Sequence, residues 1–116
     1  MDQITLFYNN PNNISTELDY RLMKNFTVDN VIDGDTFTVN GGWKWNDQTG
    51  EAIRPTGYDT PEKGQSGYDA ATQKLSNLIL GKQVQLGKVV NLDHGRLVCD
   101  VYFNEKNLAD YFPEYQ

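Results

Sequence analysis

The constraint that narrows the fold most is a turn set between two strand-forming runs. Phe26-Thr27-Val28-Asp29-Asn30-Val31-Ile32 is rich in β-branched and aromatic residues, Asp33-Gly34 follows, and Thr36-Phe37-Thr38-Val39 resumes the pattern. Asp-Gly between such runs is a strong hairpin signal. The chain is therefore expected to pair these two runs as antiparallel strands. Glu51-Ala52-Ile53-Arg54 starts a third strand. Pro55 cannot donate to a ladder, so it belongs at a strand end, an edge or a bulge. Between them, residues 41–50 hold Trp43 and Trp45 among glycines and polar residues, and read as a loop or a second hairpin. Two tryptophans are costly to leave in water, so covering the barrel is the role expected of them.

The period then changes. Across residues 68–80, Ala71, Leu75, Leu78 and Ile79 share one helical face, and Gly81 suits the position just past the helix end. Residues 83–89 alternate as a strand, His94-Gly95 is a turn, and residues 96–103 form the last strand. Residues 107–112 can form a helical turn and a half, stopped by Pro113. At the other end, residues 1–13 read as an Asn-rich arm. Residues 14–24 can form a short helix, with Ile14, Leu18 and Leu22 recurring at i, i+4, i+8.

Strands, one helix, more strands and a helical end predict an α+β, mainly β chain. The architecture expected is a five-stranded OB-type Greek-key barrel with one inserted helix and short terminal helices. The length of 116 residues suits one domain. The expected division is an arm over 1–24 and a barrel domain over 25–116.

Asp33-Gly34-Asp35-Thr36 and Arg54-Pro55-Thr56-Gly57-Tyr58-Asp59-Thr60-Pro61-Glu62 carry the chemistry. Taken alone, the first is a hairpin turn, and the second could be a helix start with Pro61 in its first turn. Taken together, they place carboxylates and an arginine beside turn-forming residues. Carboxylates on turns suit a hard cation that takes oxygen ligands. A guanidinium beside such a cation suits a phosphate. That is the outline of a phosphodiester-cleaving site.

With Gly81-Lys82-Gln83-Val84, Gly95-Arg96 and Val101-Tyr102 following in order, the chain resembles the staphylococcal nuclease-like (thermonuclease) family over roughly residues 26–112. The resemblance implies an OB barrel and a calcium-dependent phosphodiesterase acting on DNA and RNA. It implies Asp35 and Asp59 as calcium carboxylates, with the Thr60 carbonyl as a further ligand. It implies Glu62 orienting or deprotonating the attacking water, and Arg54 and Arg96 binding the scissile phosphate. Arginine fits that task better than lysine, since its planar fork matches two phosphate oxygens.

Four features depart from the family pattern. Pro55 stands where an aliphatic residue is usual, and Leu92-Asp93-His94 replaces a turn that usually carries a tyrosine. Longer members continue through another helix that packs on the barrel, and residues 1–24 are extra. On that reading residues 14–24, a protein partner or a second copy of the chain covers the surface that helix would cover.

The net charge is −6, from 10 basic and 16 acidic residues, which argues against a general electrostatic nucleic-acid binder. It leaves room for a nuclease that holds phosphate with local arginines and a cation. The alternative expectation is a catalytically weak or inactive module of the same fold that binds protein or nucleic acid. Cys99 is the one cysteine and sits in an apolar alternation, so it reads as core. No apolar run reaches the length of a membrane span, so no membrane partner is expected. No basic and apolar leader stands at the start. Met1 as the native start implies a cytoplasmic protein, and a processed form of a signal-bearing precursor implies a secreted one.

Overall fold

The computed structural model describes residues 24–116, so the expected arm and its helix lie outside the described residues but for Lys24. The chain forms β1 (Asn25–Asp33), β2 (Thr36–Trp45), β3 (Gln48–Pro55), α1 (Tyr68–Ile79), β4 (Gln83–Asp93), β5 (Arg96–Phe103) and a short β6 (Lys106–Asn107). Two 3-10 turns follow, Leu108–Tyr111 and Pro113–Tyr115.

Neighbouring strands run β3-β2-β1-β4-β5-β6, and β3 also pairs with β5. That extra pairing is parallel, with Ile53 opposite Leu97, Arg54 opposite Val98 and Pro55 opposite Cys99. It closes a five-stranded mixed barrel of the OB type, with α1 inserted between β3 and β4. Closure requires bent strands, and the bends fall at register shifts in β1–β2, β2–β3 and β4–β5.

Alternation sets what faces inward. In β5, Leu97, Cys99 and Val101 are buried while Arg96, Val98 and Asp100 are only partly so. In β3, Ile53 and Pro55 point in and Arg54 does not. Phe37, Val39, Ile53, Val84 and Val101 fill the barrel, and Leu75 and Ile79 of α1 close one end, none more than 1% exposed. Ala71, Leu75 and Ile79 recur at i, i+4, i+8, which is one helical stripe. Helix α1 ends at Ile79, and Gly81 takes the left-handed conformation (φ +78°) expected past a helix end.

One open expectation is decided and two change in detail. Residues 41–50 form a true second hairpin, since Asn46 and Asp47 both have positive φ and close a tight turn. Trp43 covers the barrel, 4% exposed, with its indole N–H donating to the Ala52 carbonyl at 2.9 Å. Strand β4 runs on to Asp93, because the His94-Gly95 turn, with both residues at positive φ, keeps it paired with β5. The C-terminal end is not one helical piece stopped by Pro113. Asn107 caps a 3-10 turn by accepting the Ala109 N–H at 2.9 Å, and Pro113 opens a second turn. Proline suits a first helical position because its missing N–H would have no partner there. Among the described residues, no helix is long and apolar enough to cross a membrane.

Burial pushes the Cys99 thiol up to about 12, with the Asp100 charge adding to the shift. A raised folded-state value means the thiol stabilises fully below the unfolded value of about 8.5 and loses that contribution as pH rises towards the folded value. Thermal unfolding from pH 7 to 10 should show a steeper alkaline loss for the native chain than for Cys99→Ala. A thiol reagent at pH 8 should label Cys99 only when denaturant is added.

Candidate functional site

The β1–β2 connection is a two-residue turn, Gly34-Asp35, with Asp33 paired to Thr36 across it. The Asp35 N–H donates to Asp33 Oδ1 at 3.1 Å, which aims the Asp35 side chain under the turn. There it is 8% exposed. Gly34 is glycine because of what it touches. A Cβ at that position would meet the Ala71 Cβ at 2.7 Å and Thr60 Oγ1 at 2.8 Å.

A buried carboxylate needs partners. Asp35 Oδ2 accepts the Thr60 N–H at 3.2 Å and lies 3.5 Å from Arg54 Nη2. Burial alone would raise its pKa. The Thr60 N–H, a hydrogen bond with Asp33 and the Arg54 charge outweigh that and lower it. Asp33 goes the other way, raised by its own burial and by the shared bond with Asp35. Two adjacent carboxyls are thus pushed apart, with the inner one holding the charge.

Arg54 leaves the outer face near the end of β3. Its Nη1 donates to the Pro55 and Tyr58 carbonyls at 2.8 and 3.2 Å, and its Nη2 to Asp59 Oδ1 at 3.1 Å. Pro55, fully buried at the strand end, does not displace the arginine, since its carbonyl is one of the acceptors.

The segment after β3 is a loop, not a helix start, and α1 begins only at Tyr68. The core and the C-terminal turns pin this loop. Tyr58 stacks on Phe112 at 4.4 Å, and its hydroxyl donates to the Gly34 carbonyl at 2.9 Å. Burial, more than the nearby Asp35 charge, pushes the Tyr58 pKa far up, so it stays a donor. The Asp59 N–H donates to the Tyr115 carbonyl at 3.0 Å. Lys74 of α1 lies over the Phe112 ring at 4.5 Å and pairs with Glu114 at 2.7 Å, holding those turns in place. Further on, Glu62 is exposed, with its N–H bonded to Gln65 Oε1 at 2.7 Å and its carbonyl accepting the Gln65 N–H at 2.8 Å.

Arg96 opens β5 on the same outer face as Arg54. It donates to Thr36 Oγ1 at 3.2 Å and to Asp93 Oδ2 at 2.7 Å. Asp93 also meets His94 Nδ1 at 2.6 Å. The hydrogen bond from Arg96, then that from His94, holds the Asp93 carboxyl below its usual range.

All six residues singled out from the sequence line one cleft of about 410 Å³: Asp35, Arg54, Asp59, Thr60, Glu62 and Arg96. Asp33, Lys63 and Asp93 complete its charged lining. Sequence reasoning did not assign roles to Gln65, Lys63 or the Tyr58–Phe112 stack. Nothing local in the sequence marks them, because each acts through a contact the fold creates.

Among the described residues, no group of three or more His, Cys, Asp or Glu side chains is arranged to hold a metal. The expected calcium set has only two carboxylates and a carbonyl, so it falls below that count. Its donors nonetheless suit a hard cation. They are all oxygens, and the Asp35 and Asp59 carboxylates already converge on one positive centre, Arg54 Nη2. Thr60 Oγ1 beside them is buried and, among the described residues, has no hydrogen-bond partner. A scan against protein families finds no match for this chain, and a comparison with curated proteins finds none either.

Two substitutions test this construction through stability. Gly34→Ala forces the turn away from Ala71 and Thr60, and should cost about 1–3 kcal/mol by overpacking. Tyr58→Phe keeps the Phe112 stack but strips the buried Gly34 carbonyl of its donor, at a similar cost of about 1–3 kcal/mol. Urea midpoints of both variants against the native chain measure these losses.

Proposed function

We propose that this protein is a calcium-dependent nuclease hydrolysing phosphodiester bonds of DNA or RNA, and that it belongs with the staphylococcal nuclease-like enzymes it resembles. The observation that carries the reading is convergence. Six residues from the β1–β2 turn, β3, the following loop and the start of β5 line one cleft, in the chemistry that phosphodiester hydrolysis needs.

A phosphodiester is anionic and repels an attacking hydroxide. Arg54 and Arg96, on the same face of paired strands, would bind phosphate oxygens and offset the charge that builds up during attack. Glu62 is exposed at the cleft edge and is long enough to take a proton from a water aimed at phosphorus. Asp35, Asp59 and the Thr60 carbonyl would hold the calcium ion. When bound, that ion supplies positive charge to the phosphate and acidity to nearby water. A second depression of about 430 Å³ shares Arg54 and Asp93 with the cleft and has Val90 and Val98 along its wall. Such a wall offers an apolar surface for the base of a bound nucleotide.

One observation favours the alternative, a binding module without catalysis. Both arginines already have carboxylate partners, Arg54 with Asp35 and Asp59, and Arg96 with Asp93. On the nuclease reading, Asp35 and Asp59 would hold the cation instead of Arg54, whose guanidinium would then be available to the substrate.

The test is cleavage of single-stranded DNA and RNA with calcium, with EDTA, and by Glu62→Gln. The nuclease reading expects calcium-dependent cleavage that EDTA abolishes. Glu62→Gln should lose at least about a hundredfold in rate, the usual scale of a general base. Its thermal stability should stay within about 0.5 kcal/mol, since Glu62 is exposed and, among the described residues, forms no ion pair. A native chain that cleaves neither polymer, at any calcium level or alkaline pH, excludes the enzyme. Arg54→Ala should lose activity and stability together, because it leaves the buried Asp35 without its cation.

A further inference from the structure

Of the three cations lining the cleft, two are committed. Arg54 is held by Asp35 and Asp59, and Arg96 by Asp93. Lys63 lines the same cleft and, among the described residues, pairs with no carboxylate. It is not on a loose segment. The Glu62 carbonyl accepts the Gln65 N–H at 2.8 Å, and Gly64 has φ +92°. That places Lys63 and Gly64 at the two central positions of a β-turn with glycine where a positive φ is required. The Gln65 side chain locks the same turn by accepting the Glu62 N–H at 2.7 Å. The loop is tied again at its start, where the Thr60 N–H reaches Asp35.

The charge balance of the cleft gives this lysine its meaning. Asp33, Asp35, Asp59, Glu62 and Asp93 face Arg54, Lys63 and Arg96. On the proposed reading a single phosphate would take both arginines over from their carboxylate partners. A polynucleotide brings further phosphates on either side of the one being bound, into surroundings with an excess of carboxylates. A free ammonium on a pinned turn beside Glu62 is the group available to meet one of them.

We infer that Lys63 is a specificity-determining residue that binds a flanking phosphate, so that the cleft selects a polynucleotide chain over a mononucleotide. The inference rests on the phosphate-binding reading of the cleft. It does not require that the bound chain be cut.

Binding can be read without turnover. Fluorescence anisotropy would follow a labelled single-stranded DNA oligonucleotide, and RNA of the same sequence, on the Glu62→Gln chain with and without Lys63→Ala. Both calcium and EDTA arms are run over a salt series, with thymidine 3′-monophosphate as the single-phosphate competitor. Loss of one phosphate contact should lower the slope of log affinity against log salt by about 0.7 for a single strand. Lys63→Arg should keep the slope. The preference for oligonucleotide over mononucleotide should shrink in Lys63→Ala. An unchanged slope, an equal loss for both ligands, or no salt-dependent oligonucleotide binding by the Glu62→Gln chain overturns the inference. Lys63-dependent binding by a chain that never cleaves would leave the inference standing and remove the nuclease.

Discussion

The rest of the site depends on one buried charge. Asp35 sits beneath a hairpin turn, nearly out of water, and a carboxylate there must be met by donors or lose its charge. The donors come from elsewhere in the chain, the Thr60 backbone and Arg54. Satisfying this group therefore draws the β1–β2 turn, the end of β3 and the following loop to one point. The same requirement fixes Gly34, whose lack of a side chain lets Thr60 and helix α1 come close enough. What a sequence reader sees as two separate turn motifs is physically one knot.

Much of the architecture was legible because it is local. Asp33-Gly34 announced a turn that falls one residue later, at Gly34-Asp35, His94-Gly95 announced its own, alternation in residues 96–103 announced the inward face of β5, and the stripe Ala71, Leu75, Ile79 announced the helix. The cleft residues were legible through a pattern of types in a fixed order, and the fold brings all six together. What was hidden depends on long-range contact. The Arg96–Asp93 pair could be guessed only once the hairpin geometry put i and i+3 together, and Tyr58 on Phe112 joins residues far apart in sequence. Pro113 reads as a stop because proline ends helices. Here it starts a new turn, because Phe112 is held in the core and the chain must change direction after it.

On the proposed reading, acidity and phosphate binding pull in opposite directions. A chain of net charge −6 repels a polyanion at long range, so recognition has to be made at short range. The cleft handles its own carboxylates in graded fashion. Asp35 is held ionised, Asp33 is pushed towards the neutral form, and Asp93 is occupied by Arg96 and His94. Each arrangement keeps an acidic group near Arg54 and Arg96 while limiting the negative charge it adds to the cleft. In the turn before β5, the His94 ring meets Asp93 and helps orient its carboxylate.

The parallel pairing of β3 with β5 has a consequence in time as well as in space. It is the contact that closes the barrel, and it places Arg54 and Arg96 on one face, yet it joins segments separated by the whole of α1 and β4. Contacts of such long sequence separation form late, after the entropy of the intervening loop has been overcome. A chain emerging from the ribosome thus carries its first hairpin and its carboxylates early, but cannot assemble the two-arginine face until β5 has docked. Assembly of the two-arginine face and completion of the barrel become a single event.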